Sequence, residues 1–397
     1  MKLENTRRTW AEIDLDAVAH NLREIRRFTN ADAQIMGVVK ADAYGHGALQ
    51  VARELLAGGA SWLAVSMLEE ALELRYAGIE APILILSDNE PACAETIVAH
   101  EIRQAVYSFD MARTLSEAAR RIGGKAKIHL KVDTGMGRIG FRPEAAPEEA
   151  ERIAKLDGIE IEGIFTHFAA ADEFSDSADR YTAEQYGTFY EICEKIEREK
   201  HIHIPLRHAA NSAAILRFPQ MHLDLVRAGI LLYGLLPSAP AKECGADLRP
   251  AMTLKSAISN VRMAQPGSFI SYGRTYRTPE AAVIATLPAG YADGYFRCLG
   301  NRAAVYHEGT GVCVPVVGRV CMDQMMIDVT QAQRIGPVRV GDTVVLFGGN
   351  CDKMPCADEI ASLAGTIHYE VVCAVGRRVP RVFLKGGRPA ETVNRLL

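Results

Sequence analysis

A lysine followed by a glycine-rich turn is the first group in this chain suited to covalent chemistry. Lys40 directly follows the apolar run 35–39, which is typical of a buried β-strand. After it, Tyr44 offers a hydroxyl, Gly45 and Gly47 permit close backbone approach, and a helical segment begins. A lysine at the mouth of a strand, beside groups able to hold a phosphate, suits a Schiff-base lysine. The alternative is a charged residue leaving the core for solvent.

Other polar residues capable of binding or proton transfer also follow predicted strands. Taken singly, each has a structural explanation as a cap, a core histidine or a solvated charge. Their joint position at strand ends indicates one site, because active groups of a (β/α)8 barrel lie at the carboxyl ends of its strands. These residues are Lys131, Asp133, Arg138, His167, His208, Asn211, Ser212, Arg227, Gly229 and Ile230.

Short apolar runs alternate with amphipathic Ala/Glu/Arg-rich segments over the first 230 residues or so. Alternation of this kind favours a parallel sheet, and eight units predict a closed (β/α)8 barrel. An open doubly wound sheet is the second possibility, but it would carry a Gly-rich phosphate turn where Lys40 stands. The apolar runs cover residues 35–39, 61–66, 83–87, 103–108, 126–132, 161–166, 205–209 and 223–230.

The pattern changes near residue 240, where short β-type runs with Gly and Pro between them replace most of the helices. We therefore expect a barrel domain over residues 12–240 and a mostly β domain over 241–385, with a linker at 237–250. A run at 252–263 and a helix near 357–364 belong to the second domain. A strand at 9–14 precedes a helix over 15–28, and the N-terminal residues 1–11 are expected to join the β domain.

Composition excludes several function classes. The chain has 397 residues, 48% hydrophobic and 24% charged, with a net charge of -4, which gives no case for binding nucleic acid or a membrane surface. We find no apolar run long enough to span a membrane and no secretory signal. The nine scattered cysteines show no metal-binding spacing, so we expect reduced thiols, no metal and a cytoplasmic protein.

The stretch Val-Val-Lys-Ala-Asp-Ala-Tyr-Gly-His-Gly at 38–47 closely resembles the pyridoxal-phosphate attachment motif of the alanine racemases. The resemblance covers roughly residues 8 to 384 and is also specific at 271–276 and 319–323. It implies pyridoxal 5'-phosphate as the cofactor, bound by Lys40. It further implies that the cofactor is held by Tyr44, His208, Asn211, Ser212, Gly229, Ile230 and Tyr369.

Arg227 matches the arginine that faces the pyridine nitrogen in these racemases. Because an arginine stays protonated, the nitrogen that it contacts must accept a hydrogen bond and remain unprotonated. An unprotonated ring is a poorer electron sink than a pyridinium. Side reactions such as transamination should therefore be rarer. The alternative for Arg227 is a structural arginine that closes the barrel mouth.

Racemisation removes the Cα proton from one face and returns it on the other, which suits two bases. Lys40, once displaced from the cofactor, can serve one face. By the resemblance, Tyr272 is the second base, reaches the site from the partner subunit and is oriented by His167. A homodimer would then be obligatory for activity.

The resemblance also implies the groups that bind the substrate. Arg138 matches the arginine that binds the carboxylate, and the Met322 backbone N–H helps from a partner-subunit loop. Lys131 corresponds to a lysine often carbamylated in this family, whose carbamate positions the arginine. The implied reaction interconverts L- and D-alanine and provides D-alanine for peptidoglycan.

Two other functions remain open from the sequence. One is an enzyme of the same fold that racemises serine or another amino acid, or a decarboxylase, although a decarboxylase should have a carboxylate in place of Arg227. The other is a non-enzymatic pyridoxal-phosphate-binding barrel protein, which would have Lys40 and the phosphate groups but no second base such as Tyr272.

Overall fold

The computed structural model describes residues 8–349 and 353–396, which form two compact units. The described residues of the barrel unit lie within 18–43 and 48–248. Those of the β unit lie within 1–17, 44–47 and 249–397.

The described chain begins with strand β1 (Thr9–Asp14) and a helix at Leu15–Phe28, both as predicted. Residues of β1 alternate between buried and half-buried positions, as expected of a strand with one face on the core. The Asp14 Oδ1 atom accepts a hydrogen bond from the Ala17 N–H at 3.0 Å, which caps the start of the helix.

The predicted barrel is confirmed by eight parallel strands in one sheet, paired in the order β8-β7-β6-β5-β4-β3-β2-β9. Most of their residues are buried, as expected for strands covered on both faces. These strands are β2 (Gln34–Val38), β3 (Trp62–Val65), β4 (Ile83–Ile85), β5 (Arg103–Val106), β6 (Ala126–Lys131), β7 (Ile159–Phe165), β8 (Leu206–His208) and β9 (Leu225–Ala228).

The barrel is nearly closed between β8 and β9. The Asp224 N–H donates to the Arg207 carbonyl oxygen at 3.1 Å, and the Arg227 N–H donates to the Ala210 carbonyl oxygen at 3.0 Å. The carboxyl ends of all eight strands therefore surround one mouth. Helices of the barrel unit connect the strands at Ala48–Ala57, Leu68–Tyr76, Ala94–Ala99, Phe109–Ile122, Ala146–Ala154, Asp176–Lys200 and Ser212–Arg217.

The β unit is built on a ten-stranded sheet in the order β11-β14-β17-β16-β15-β18-β10-β1-β19-β20, and β12 and β13 form a separate hairpin. Strand β1 pairs antiparallel with β10 and parallel with β19. The strands after the barrel are β10 (Met252–Ala257), β11 (Asn260–Ala264), β12 (Phe269–Ile270), β13 (Tyr276–Arg277), β14 (Ala282–Leu287), β15 (Ala304–His307), β16 (Val312–Val317), β17 (Met325–Asp328), β18 (Thr343–Gly348), β19 (Arg381–Lys385) and β20 (Arg388–Val393).

Some local expectations were wrong. The run at 252–263 is two strands rather than one, because the chain reverses between β10 and β11. The predicted helix is present at Ala357–Ala364, but short helices at Thr330–Ile335 and His368–Cys373 were not predicted. The predicted linker contains a 3₁₀ helix at Ala239–Cys244. Every helix in the described part of the chain is too short or too polar to cross a bilayer.

Candidate active site

Lys40 lies just beyond β2, where the backbone enters a left-handed turn. Residues 41–44 have φ between 52° and 54°. L-residues avoid this region because Cβ approaches the next carbonyl oxygen, at a cost of about 1–2 kcal/mol per residue. A hydrogen bond stabilises the turn: the Asp42 Oδ1 atom accepts the Ala48 N–H at 2.8 Å. Strained backbone of this kind concentrates at functional sites.

His167 marks the point where four cationic side chains of the barrel unit converge. Burial lowers the pKa of His167 well below its usual value, and the charges of Arg227, Arg138, Lys131 and Lys40 lower it further. Lys40 follows β2, Lys131 ends β6, Arg138 lies in the loop after β6, and Arg227 belongs to β9, so three strands supply the four residues. The mouth of the barrel is therefore a site of concentrated positive charge, suited to phosphate and carboxylate groups.

Arg227 is buried and heavily hydrogen-bonded. Its Nη1 donates to His208 Nδ1 at 3.0 Å and to the His208 carbonyl oxygen at 3.2 Å. Its Nη2 donates to the carbonyl oxygens of Thr166 and Ala209 at 2.8 and 2.9 Å, and to His167 Nδ1 at 3.2 Å. Burial lowers the pKa of Arg227 to about 9, so it stays charged at neutral pH. Within the described chain, Nε is the guanidinium nitrogen left for a ligand.

The two histidines beside Arg227 are neutral and each has a defined tautomer. Burial, with the adjacent Arg227 charge, lowers the pKa of both His167 and His208 well below the usual value. Since a guanidinium can only donate, Nδ1 of each ring must accept. The proton of each ring is therefore on Nε2. His167 Nε2–H can then donate to an acceptor in the site.

Lys131 and Arg138 are connected by a loop that Asp133 organises. The Asp133 carboxylate accepts the backbone N–H groups of Gly135, Gly137 and Arg138 at 3.0, 3.1 and 3.0 Å. Burial, together with the Arg227 and Arg138 charges, lowers the pKa of Lys131 to about 7, while Asp133 opposes this shift. Arg138 itself is exposed. The loop therefore joins a buried amine to an exposed guanidinium.

Two helix starts meet beside β8 and β9. Ser212 is the first residue of the helix Ser212–Arg217, and its hydroxyl accepts the Gly229 N–H at 3.0 Å. Ile230 begins a 3₁₀ helix directly after Gly229. Asn211 caps the first helix by accepting the Ala214 N–H at 3.1 Å. The first N–H groups of a helix have no partner inside it, so the paired starts offer donors to an anion.

In the β unit, Tyr272 lies on an exposed turn that its neighbours hold firmly. Its side chain is 73% exposed. The adjacent Ser271 hydroxyl donates to the Arg319 carbonyl oxygen at 2.7 Å. Ile270 and Tyr276, on the two sides of the turn, pack into one hydrophobic cluster with residues of β11, β14, β16 and β17. The Tyr272 side chain is therefore exposed, while these contacts hold the backbone of its turn in place.

The Met322 loop packs on a glycine of the β unit. The Tyr291 N–H donates to the Cys321 carbonyl oxygen at 3.0 Å, and the Ala292 N–H donates to the Met322 carbonyl oxygen at 3.1 Å. A Cβ on Gly290 would lie 2.2 Å from the Cys321 oxygen, so only glycine permits this contact. The Met322 side chain is 53% exposed.

Tyr44 and Tyr369 come together within the β unit. Their ring centroids are 6.2 Å apart with a tilted arrangement, and Tyr369 also stacks on His368 at 4.9 Å. Burial raises the pKa of Tyr44, so its hydroxyl keeps its proton and can donate to an anion. The sequence placed these two tyrosines 325 positions apart without a pattern that joins them.

Sequence reasoning missed two polar residues behind the site, the buried His129 on β6 and the half-buried Glu162 on β7. His129 Nδ1 lies 2.8 Å from His208 Nε2, and Glu162 Oε2 lies 3.7 Å from His129 Nε2. The available signal was a histidine within the apolar run Ile128-His129-Leu130. The left-handed turn after Lys40 was also missed, because its residues do not include the glycines that usually mark positive φ.

This combination of a barrel with a strand-end lysine and a separate β unit matches two adjoining family models. The model of the alanine racemase N-terminal domain matches residues 13–237, and that of the alanine racemase C-terminal domain matches residues 251–383. The chain belongs to the alanine racemase family.

Similar proteins cover almost the whole chain. The chain is 46% identical to alanine racemase 1 of Clostridium acetobutylicum, and the match covers 98% of each chain. It is 48% identical to an alanine racemase of Desulfovibrio desulfuricans, covering 96% of this chain and 99% of the relative. A solved alanine racemase of Clostridium difficile superimposes with a TM-score of 0.93 at 41% identity, covering 99% of this chain and all of that one. A solved histidine racemase of Leuconostoc mesenteroides superimposes with a TM-score of 0.85 at 28% identity, covering 96% of this chain and 99% of that one.

Proposed function

We propose that this protein is a pyridoxal-phosphate-dependent racemase that interconverts L- and D-alanine. The observation that carries the proposal is the convergence of Lys40, Lys131, Arg138 and Arg227 on His167 at the barrel mouth. This charge suits both a phosphorylated cofactor and the carboxylate of an amino acid. Membership of the alanine racemase family directs the choice of reaction.

The residues of the barrel unit fit pyridoxal phosphate by the chemistry of their donors. The N–H groups at the helix starts of Ser212 and Ile230 would hold the phosphate. The Ser212 hydroxyl, which accepts the Gly229 N–H, can donate its own proton to the phosphate, and Asn211 caps the same helix. Arg227 Nε would face the ring nitrogen, because Nη1 and Nη2 already bind His208, His167 and backbone carbonyls. The hydroxyls of Tyr44 and Tyr369, whose rings lie together in the β unit, are the other phosphate-binding groups that the family resemblance implies.

Pyridoxal phosphate, when bound, would supply the electron withdrawal that acidifies the Cα proton of an amino acid, and Lys40, displaced from it by that amino acid, would be a free amine. The chain's own part is to move that proton. The Lys40 amine would take or return it on one face, and the Tyr272 phenolate of the partner subunit would do so on the other. His167 would orient the Tyr272 oxygen of the partner subunit by donating to it from Nε2.

The homodimer is part of this proposal. Tyr272 and Met322 are among the most exposed large apolar side chains of the β unit, at 73% and 53%. Residues fixed in position yet exposed are suited to completing a site on a second copy of the chain. The proposed domains are therefore a barrel that carries the cofactor lysine, residues 12–240, and a β domain, 241–385 with 1–11, that supplies the second base.

Substrate binding would use the loop that Asp133 organises. Arg138 would bind the carboxylate bidentately, and the Met322 N–H of the partner subunit would add a donor. Lys131 is a buried amine beside Arg227 and Arg138, which disfavour its protonated form. Reaction of the neutral amine with CO2 would convert it to a carbamate anion that balances both arginines and holds Arg138 in place.

The named relatives favour alanine as the substrate, while the similar histidine racemase shows that this fold also serves another amino acid. The match of the C-terminal family model over residues 251–383 disfavours a cofactor-binding barrel alone. In a bacterium, the D-alanine formed would enter peptidoglycan.

A chiral assay of the purified, dialysed protein tests the proposal. L-Alanine is supplied, D-alanine is followed over time, and the visible absorbance of the protein is recorded. We expect a yellow protein and an approach to equal amounts of both enantiomers. A yellow protein that racemises histidine or serine but not alanine would contradict the substrate. A colourless protein that stays inactive after addition of pyridoxal phosphate would contradict the whole proposal.

A further inference from the structure

Behind Arg227, the buried side chains of His208 and His129 lead to the half-buried Glu162 on β7. We propose that His129, oriented by Glu162, is a positioning residue that holds His208 in the state that aligns Arg227. The consequence for catalysis rests on the racemase function proposed above, but the arrangement itself does not. All of these residues belong to the barrel unit.

Two hydrogen bonds and one longer electrostatic contact, between His129 and Glu162, form the series. Arg227 Nη1 lies 3.0 Å from His208 Nδ1, His208 Nε2 lies 2.8 Å from His129 Nδ1, and His129 Nε2 lies 3.7 Å from Glu162 Oε2. His129 and His208 are fully buried. Water therefore cannot replace either ring as a hydrogen-bond partner without rearrangement of the core.

The direction of each hydrogen bond follows from the arginine. Arg227 can only donate, so His208 Nδ1 accepts and the His208 proton lies on Nε2. His208 Nε2–H must then donate to His129 Nδ1, which places the His129 proton on Nε2, facing Glu162. Burial lowers the pKa of both rings, so each carries one proton. All the donors in the series point toward the carboxylate.

The carboxylate end is charged and anchored. Burial raises the pKa of Glu162, but the His129 ring 3.7 Å away and the hydrogen-bonded Arg103 guanidinium outweigh this effect and lower it to about 2. Arg103 Nε and Nη2 lie 2.9 and 3.3 Å from the two Glu162 oxygens, and Lys127 Nζ lies 3.9 Å away. A fixed anion at this end stabilises the orientation of both ring dipoles.

The backbone is adapted to admit the His129 ring. A Cβ on Gly163 would lie 2.4 Å from His129 Nδ1, so the ring occupies the space of the missing side chain. The pairing of β6 with β7 shifts register between Ile128 and His129. On the other side, Phe165 stacks on His208 with an interplanar angle of 5°. A bulge and a glycine at the same point indicate that the fold accommodates a histidine specifically.

The series explains how Arg227 keeps one orientation. If His208 Nε2–H had no acceptor, the ring could adopt the other tautomer or rotate, and the bond from Nη1 would be lost. The guanidinium would then be held by its other four hydrogen bonds alone, and the alignment of Nε with the ring nitrogen of the cofactor would be weakened. The expected consequences are partial protonation of that nitrogen and more transamination, which transfers the amino group of alanine to the cofactor and releases pyruvate.

A matched pair of variants separates hydrogen bonding from packing. Asn and Leu have nearly the same shape, and the Asn Oδ1 occupies about the position of His Nδ1. His129→Asn therefore keeps an acceptor for His208, while His129→Leu removes it. The first measurement is the ¹⁵N–¹H spectrum of the histidine rings in the purified protein. We expect a slowly exchanging His208 Nε2–H in the wild type and His129→Asn, and its loss in His129→Leu.

The second measurement uses the protein loaded with pyridoxal phosphate. In His129→Leu, the ratio of pyruvate released to D-alanine formed should rise about tenfold. A rise of one unit in the pKa of the ring nitrogen would increase its protonated fraction by this factor. His129→Asn should stay near the wild type. A loss of core packing alone would affect both variants equally. Equal effects of Asn and Leu, or a wild-type His208 without a proton on Nε2, would overturn the proposal.

A second pair covers the case in which the His129 variants do not fold. Glu162→Gln removes the anion, and Glu160→Gln makes the same change on β7 without touching the series. Exchange of the His208 Nε2–H should accelerate about tenfold in Glu162→Gln only, the factor for about 1.4 kcal/mol of lost stabilisation. No difference between these two variants contradicts the proposal. If the wild type binds no pyridoxal phosphate, the racemase function fails while both NMR tests still decide the role of His129.

Discussion

At the scale of single residues, the site combines groups whose ordinary ionisation has been changed by burial and by one another. Lys40, Lys131, Arg138 and Arg227 approach His167 closely enough for each charge to lower the pKa of the His167 imidazolium. His167 is consequently neutral and donates from Nε2, because Arg227 occupies Nδ1. The same electrostatic environment is expected to favour anions that enter the site, including a phenolate.

Replacement of Tyr272 by Phe tests the second base. Tyr272→Phe keeps the ring but removes the proton-accepting oxygen. The protein should keep its yellow colour and lose racemisation by a factor of about 10²–10⁴, the usual contribution of a positioned base. Exchange of the Cα proton with deuterated water should fall mainly for one enantiomer. Tyr276→Phe, on the adjacent β13, is the control. Full activity of Tyr272→Phe would contradict the two-base assignment.

Lys131 should carry a carbamate whose amount depends on pH. Because the pKa of Lys131 is lowered to about 7, its amine is neutral above that pH and protonated below it. Only the neutral amine reacts with CO2. We expect a carbamate signal in ¹³C NMR after incubation with ¹³C-bicarbonate at pH 8, weakened at pH 6. Lys131→Arg should abolish the signal, whereas the exposed Lys155→Arg should not. An unchanged signal in Lys131→Arg would place the carbamate elsewhere.

At the scale of elements, the ends of the strands and the turn after β2 set the geometry of the site. Four successive residues with φ above 50° turn the chain sharply after Lys40. None of the four is a glycine, so the surrounding structure must impose the conformation. The turn is therefore a place where this fold stores backbone strain over four consecutive residues.

Substitution of Ala41 by glycine should relieve part of that strain. Ala41 is exposed and has a φ of 52°, so Ala41→Gly removes an unfavourable Cβ without loss of buried surface. We expect the free energy of unfolding to rise by up to about 1 kcal/mol, after the entropy cost of glycine. Ala183→Gly, at an exposed position in the helix Asp176–Lys200, should instead lower it by about 1 kcal/mol. Urea unfolding measures both, and a loss of stability in Ala41→Gly would show that the turn is not strained.

Periodicity and residue spacing predicted the elements better than their connections. The eight apolar runs predicted the eight barrel strands, because strands buried on both faces are apolar throughout. Strand ends predicted where Lys40, Lys131, His167 and Arg227 lie. Their mutual contacts were not predictable, since no sequence pattern shows that side chains from β9, β8 and β6 meet in the Arg227–His208–His129 series. The left-handed turn was hidden because alanine and tyrosine carry no sequence signal for positive φ.

At the scale of the whole molecule, the proposed activity needs two copies of the chain. The barrel unit contains Lys40 and the cationic side chains around His167. In the β unit, Tyr272 and Met322 lie exposed on loops that hydrogen bonds hold in place. A C₂ dimer in which each β unit serves the other barrel would contain two identical sites. Each site would then depend on residues from both subunits.

Complementation between two inactive variants tests this central claim most directly. Lys40→Ala and Tyr272→Phe subunits with different affinity tags are co-expressed, and the heterodimer is isolated. A shared site predicts one intact and one doubly altered site per heterodimer, and hence about half of the wild-type racemase activity. Each homodimer should be nearly inactive, and a doubly tagged wild-type dimer sets the reference. A heterodimer as inactive as its parents would show that Lys40 and Tyr272 do not act together across the subunits.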